Sequence, residues 1–378
     1  PIVKAANSRV QGHMLIKEML AKIDVQINGS RPWDIQIHNH RLWDRVIRQG
    51  SLGLGEAYME GWWDCQALDQ LFYRIMRGDL EKHFRLTLPV LLGIAAYALR
   101  NLQSVARARM VARGHYDFDN DMFEAMLDPF MQYSCGYWEH ADSLERAQQD
   151  KMELICRKLQ LKPGMRVLDI GCGWGGLGRY MAQQYGVHVT GVTVSWAQAQ
   201  YAESHSEGLD VEWLLKDYRS LIGKYERVVS VGMFEHVGHK NYAVFMDSAY
   251  HLLREDGLFL LHTIGANQKR LSVDPWIEKY IFRNGILPSI AEIGNAIAGR
   301  FVMEDWHNFG ADYDKTLMAW AENFRRGREE GKFSCSESVF RMFHYYLLSC
   351  AGAFRARDLQ LWQIVLSPHG AVGGYRRP

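Results

Sequence analysis

Val167-Leu168-Asp169-Ile170-Gly171-Cys172-Gly173-Trp174-Gly175-Gly176 is the stretch on which the reading of this 378-residue chain turns. A short Val- and Leu-rich run, Arg166–Ile170, enters a glycine cluster without any polar linker. That is how a strand feeds a tight turn and then a helix, with glycines letting a ligand approach the backbone and helix N–H groups facing it. The order G-C-G-W-G-G is not the G-x-G-x-x-G of a dinucleotide site. About 20 residues on, where such a site places an acid for the ribose, stands Thr193.

Outward from this loop, apolar runs alternate with helical stretches. Arg166–Ile170, Val187–Val192, Val211–Leu215, Arg227–Val231 and Leu258–Leu261 predict strands, and Leu359–Leu366 a further one. Tyr201 and Tyr250 fall in intervening helices. Apolar strands separated by helices imply a parallel sheet covered on both faces, a doubly wound, Rossmann-like α/β domain. Asp142 with Glu145 predicts a capping box, opening a helix whose Met152, Ile155 and Leu159 share a face. Residues 1–102 read as a smaller, helix-rich domain without catalytic residues in recognisable order, and the short basic stretch 103–114 as a linker. Residues 115–378 then form the catalytic domain.

Hydrophobic residues make up 48% of the chain and charged residues 23%, the balance of a folded protein and not of a disordered one. No signal peptide is expected, because Lys4, Arg9 and Lys17 precede no uninterrupted apolar core. The apolar stretch Leu86–Leu99 falls short of the roughly 20 residues of a spanning helix. Six cysteines without a CxxC pair suit a reducing cytosol. Net charge is +1, yet residues 1–113 hold 16 Lys and Arg against 10 Asp and Glu, while the remainder holds 28 against 33. Lys82 to Tyr116 carries six basic residues and no acid, and Leu91, Ile94, Ala95, Ala98, Leu99 and Leu102 repeat at helical spacing from near Pro89. A basic amphipathic helix of this kind is attracted to an anionic membrane surface, and it equally suits a core helix with a solvated basic flank. Nucleic acid is not an expected partner, since no nucleic-acid module is visible.

Asp169, an acid inside the strand end before the glycines, is characteristic of S-adenosylmethionine sites. Beyond it, six segments occur in order: Tyr133-Ser134-Cys135-Gly136-Tyr137-Trp138, the glycine loop, Gly232-Met233-Phe234-Glu235-His236-Val237-Gly238, Leu261-His262-Thr263-Ile264-Gly265, Asn308-Phe309-Gly310-Ala311-Asp312-Tyr313, and Tyr346-Leu347-Leu348-Ser349-Cys350-Ala351-Gly352-Ala353-Phe354-Arg355. Together they resemble the cyclopropane-fatty-acyl-phospholipid synthases, especially the bacterial two-domain form, from about Asn28 onward. The mycolic acid cyclopropane synthases are similar over the second domain alone.

The resemblance implies methylene transfer from S-adenosylmethionine to a cis double bond within an acyl chain of a membrane phospholipid. The carbocation formed must lose a proton as the ring closes, so the site needs close approach, exclusion of water, aromatic faces and a base. By resemblance Cys135, Glu235, His262 and Tyr313, with the backbone of Ile264, hold a bicarbonate ion as that base. The residues alone leave direct deprotonation by Glu235 or His262 open. Cys350 occupies a position that the family has credited with catalysis, although this chemistry needs no thiolate. Tyr133, Ser134, Asp169, Gly171, Cys172, Gly173, Thr193, Gln198, Asp217 and Tyr218 are the expected cofactor contacts. His239 departs from the family pattern, where proline is expected. His236 and His239 lack a third partner at metal-binding spacing, and no metal is expected. The family suggests a homodimer at the cytoplasmic face of the membrane. A non-enzymatic lipid-binding protein and another S-adenosylmethionine-dependent lipid methyltransferase are the competing readings.

Overall fold

The computed structural model describes residues 14–78 and 120–378. The basic run, the amphipathic stretch after Pro89 and the linker 103–114 lie outside the described residues. In the first segment a two-residue strand β1 (Gln36–Ile37) precedes α1 (Leu42–Met59), and β2 (Trp63–Asp64) pairs antiparallel with β1 before α2 (Leu68–Arg77). The glycine-punctuated stretch after Gly50 is the second half of α1, which bends where Gly50 takes φ 59°.

From residue 120 the chain runs through α3 (Asn120–Met126), α4 (Leu144–Lys158), β3 (Arg166–Ile170), α5 (Gly176–Tyr185), β4 (His188–Thr193), α6 (Trp196–Ser204), β5 (Val211–Leu215) and β6 (Tyr225–Val231). It continues with α7 (Tyr242–Leu252), β7 (Leu253–Ala266), α8 (Pro275–Tyr280), α9 (Ile290–Ile297), β8 (Val302–Asn308), α10 (Ala311–Glu329), α11 (Glu337–Arg355) and β9 (Leu359–Ser367). The seven strands from β3 onward form one sheet in the order β5-β4-β3-β6-β7-β9-β8. β5 to β7 are parallel, and β9 and β8 add antiparallel at the far edge.

The sheet's period of two explains its burial on both faces. Leu168, Val228, Phe259 and Leu261 pack with Phe245 of α7 and Ile293 of α9 on one side. Val167, Val189, Val229 and Leu260 pack with Ile155 of α4 and Met181 of α5 on the other. Each fully buried aliphatic side chain here contributes roughly 1.5–3 kcal/mol. A third cluster joins Leu68, Leu71 and Phe72 of α2 to Phe343, Leu347 and Phe354 of α11. Contact there is close enough that a Cβ on Gly352 would stand 2.6 Å from the Asp69 carbonyl oxygen.

Two expectations are corrected. The cap of α4 is Ser143, whose hydroxyl accepts from the Arg146 amide, and not Asp142 one residue earlier. β7 runs well beyond Leu258–Leu261, and β8 was not expected. The solvent-facing Arg254-Glu255-Asp256 and the charged, half-buried Glu304-Asp305 hide both from an apolar-run reading.

Candidate active site

The carboxyl ends of β3, β4 and β6 open into a cavity of about 220 Å³. All ten expected cofactor residues line it. Gly171, at φ 85°, turns the chain under Met233, whose Cγ would stand 2.7 Å from an added Cβ. Gly173, at φ 54°, has nothing within 4 Å of where a Cβ would project. On the next strand end, Thr193 Oγ1 donates to Gln198 Oε1 at 3.0 Å, while Ser195 caps α6. Asp217 is fixed by the Arg219 guanidinium at 2.8 and 2.7 Å, which leaves Tyr218 beside it on the cavity wall. Asp169 is buried, and that burial pushes its carboxyl up to about 7 against the pull of Lys151.

Lys151 lies against the cavity wall, and the motif reading missed it. It is 0% exposed on α4, and its ammonium donates to Gln132 Oε1 at 2.6 Å and Ser134 Oγ at 2.8 Å, both cavity residues. Burial pulls it down to about 8, against neighbouring Asp128. The signal was present: Lys151 stands four residues from both Ala147 and Ile155, on the apolar face of α4. His236, at the carboxyl edge of the sheet beside Glu235, lines the cavity, with burial holding it down to about 4. Among the described residues, no three His, Cys, Asp or Glu side chains gather as a metal site.

Glu235 and His262 reach the same sheet edge. Glu235 lies on a single 3-10 turn after β6, and its Oε1 accepts from the Ile264 amide at 2.6 Å. The backbone of Ile264 is thus engaged by the carboxylate. Glu235 Oε2 is buried without a hydrogen-bond partner, and burial lifts the carboxyl to about 7. His262, two residues before Ile264 on the same face of β7, is 1% exposed. Its Nδ1 meets Gln363 Nε2 at 3.2 Å, and its Nε2 is buried without a partner. Burial pushes the imidazole well below its ordinary pKa, with Lys151 and Lys158 adding to the effect.

Tyr313 sits in the first turn of α10 against Phe354, ring centroids 4.6 Å apart. Burial raises its phenol well above the ordinary value, and Cys135, Tyr133, Glu235 and Cys350 each push the same way. Cys135 is fully buried with its thiol held protonated by burial, 4.0 Å from the Thr316 hydroxyl. Cys350 on α11 is likewise pushed up to about 12 by burial, so it carries no thiolate at neutral pH. Aromatic rings fill the space between: Tyr133 lies 5.1 Å from Trp320 and Phe282 5.7 Å from Tyr346.

The profile of the mycolic acid cyclopropane synthetase family matches residues 103–364. The chain belongs to the mycolic acid cyclopropane synthetase family. Cyclopropane-fatty-acyl-phospholipid synthase of Escherichia coli (strain K12) is 55% identical over 368 residues, covering 96% of this chain and 95% of its own. The synthetase fold recurs in the cyclopropane synthase MmaA2 from Mycobacterium tuberculosis, with a TM-score of 0.65 at 34% identity over 71% of this chain and 99% of that one. It recurs also in mycolic acid cyclopropane synthase CmaA1 complexed with SAH and CTAB, with a TM-score of 0.64 at 33% identity over 68% of this chain and 97% of that one. Family membership makes the chain an S-adenosylmethionine-dependent enzyme.

Proposed function

We propose that the chain is a cyclopropane-fatty-acyl-phospholipid synthase, acting on unsaturated acyl chains of membrane phospholipids with bicarbonate as the base. The observation that carries this is two buried, unpartnered polar atoms, Glu235 Oε2 and His262 Nε2, on residues that adjoin His236 in the chain and Val231 in the sheet ladder, both on the wall of the cavity. S-adenosylmethionine supplies an electrophilic sulfonium methyl. Bicarbonate supplies a small base that needs no bulk water.

The residues present fit both. The open face of Gly173 and the walls at Thr193 and Tyr218 suit a nucleoside carrying a sulfonium. For the anion, neutral His262 offers an N–H and Tyr313, held protonated, an O–H, while the Cys135 thiol donates to the Gly136 carbonyl at 3.2 Å. Glu235 suits the same ion through its poised carboxyl: the acid form donates, and the carboxylate accepts the hydroxyl hydrogen of the ion. The rings of Tyr133, Trp320 and Tyr346 offer electron-rich faces to a carbocation on the acyl chain and exclude water from it. Cys350 enters this reading as a wall of the acyl site. Direct deprotonation by Glu235 is the second reading, favoured by a carboxyl poised near 7.

The enzyme works as a peripheral homodimer at the cytoplasmic face of an anionic membrane. No described helix is long and apolar enough to cross a bilayer. Mass spectrometry of lipids from cells expressing the protein tests the activity. A gain of one CH2 with loss of the double bond is expected, and a gain with the double bond kept overturns it. Rigorous removal of bicarbonate separates the two bases: activity should fall and return on adding the ion, and full activity without it leaves Glu235.

A further inference from the structure

We propose that Gln363 is a positioning residue that fixes the tautomer of His262, so that the imidazole turns an N–H, and not a lone pair, toward the bound anion. This rests on the bicarbonate reading above. His262 and Gln363 are directly opposed in the antiparallel register of β7 and β9, so their side chains share a face. Both are buried, 1% and 0% exposed. A glutamine in the middle of Leu361-Trp362-Gln363-Ile364-Val365 is costly to bury unless it serves a partner.

That partner is His262 Nδ1, 3.2 Å from Gln363 Nε2. A neutral imidazole carries one hydrogen. Burial and the nearby Lys151 and Lys158 keep the ring neutral. With Nδ1 accepting from the amide, the hydrogen resides on Nε2, the atom that has no protein partner. The amide orientation follows from what surrounds it. Gln363 Oε1 is buried and unpartnered, so reversing the amide would put an NH2 with two unmet hydrogens where one carbonyl oxygen now stands. With the amide in this orientation, the opposite tautomer would lose the Gln363 bond and aim a lone pair at an anion.

The test is nitrogen-15 and proton correlation NMR on the full-length protein labelled at histidine, with His262→Asn used only to assign the resonance. His262 in the wild type should carry its hydrogen on Nε2, a result that requires no variant to fold. Gln363→Met, which keeps the volume without the donor, should let the other tautomer appear. It should raise the half-saturating bicarbonate concentration about tenfold, the loss of one well-placed hydrogen bond to an ion, with S-adenosylmethionine affinity by calorimetry unchanged. An Nδ1–H tautomer in the wild type overturns the proposal. So does a Gln363→Met protein with tautomer and bicarbonate response intact. Nε2–H in the wild type without any bicarbonate dependence would remove the ion and leave the tautomer control standing, so the two failures are told apart.

Discussion

The phenol of Tyr133 donates to the phenol of Tyr346 across 3.1 Å, joining the wall of the cofactor cavity to the helix that carries Cys350. The two residues are 213 positions apart in sequence. Their contact ties Tyr133 of the cavity wall to α11. Tyr346→Phe keeps the ring and removes this bond, at about 1 kcal/mol. Turnover should fall several-fold while S-adenosylmethionine affinity holds, and Tyr346→Leu, which also removes the aromatic face, should fall further. Steady-state kinetics on unsaturated phospholipid vesicles reads both.

Gly173→Val places a side chain in the open space of the cavity at a backbone with φ 54°. The β-branched residue costs about 1–2 kcal/mol in this left-handed conformation. The larger effect is on binding: calorimetry should show S-adenosylmethionine affinity down by about tenfold or more, a loss of roughly 1.4 kcal/mol. An unchanged affinity in a folded variant would place the cofactor elsewhere.

Glu235→Gln should lose activity by about a hundredfold or more, the scale of a lost acid–base group, with cofactor binding retained. Its stability has a definite pH dependence. The carboxyl is raised from 4.5 to about 7, so between those values the folded state keeps a proton that the unfolded state has released. Wild-type stability therefore falls as pH rises through this window, by on the order of 3 kcal/mol. The glutamine variant lacks that loss. Melting curves should show it gaining on the wild type from pH 5 to pH 8.

Lys151→Met removes the cation that holds Gln132 and Ser134. Cofactor affinity should drop by roughly fivefold to tenfold, since about 1 kcal/mol of positioning is lost. The lysine is lowered from 10.5 to about 8, so in that range the unfolded chain binds the proton that the folded one has released. The wild type thus gains stability as pH rises from 8 to 10.5, and the deficit of the variant should widen over the same interval.

Replacing Arg100, Arg107, Arg109 and Arg113 together by Gln in the full chain should weaken binding to anionic vesicles by about 1 kcal/mol per residue at low salt. The difference should shrink as salt is added. Equal partitioning of the two proteins at low salt would give this basic stretch another role.

The glycine loop and the parallel strands were legible because their burial on both faces writes itself as apolar runs. β8 was not, because an edge strand with Glu304, Asp305 and His307 on it is held by its ladder to β9 and not by its own composition. Ser143 and Asp142 are both good caps, and only the backbone decides between them. Glu235, His262 and Tyr313 were visible as motif residues, yet their spacing in sequence says nothing of Gln363 or Lys151. Both meet their partners in space, and each left a different trace: Gln363 is a polar residue inside an apolar run, and Lys151 a cation on the core-facing side of an amphipathic helix.

Phe72 packs against Tyr345, and Arg355 bridges Asp69 and Asp314, with its bond to Asp69 spanning 286 positions. During synthesis, α2 therefore leaves the ribosome long before the helix that completes its core exists. Leu68, Leu71 and Phe72 stay without their partners on α11 until that helix has emerged. Such non-local contacts slow folding and leave apolar surface open meanwhile. α2, made well before α11, is thus among the last elements to settle.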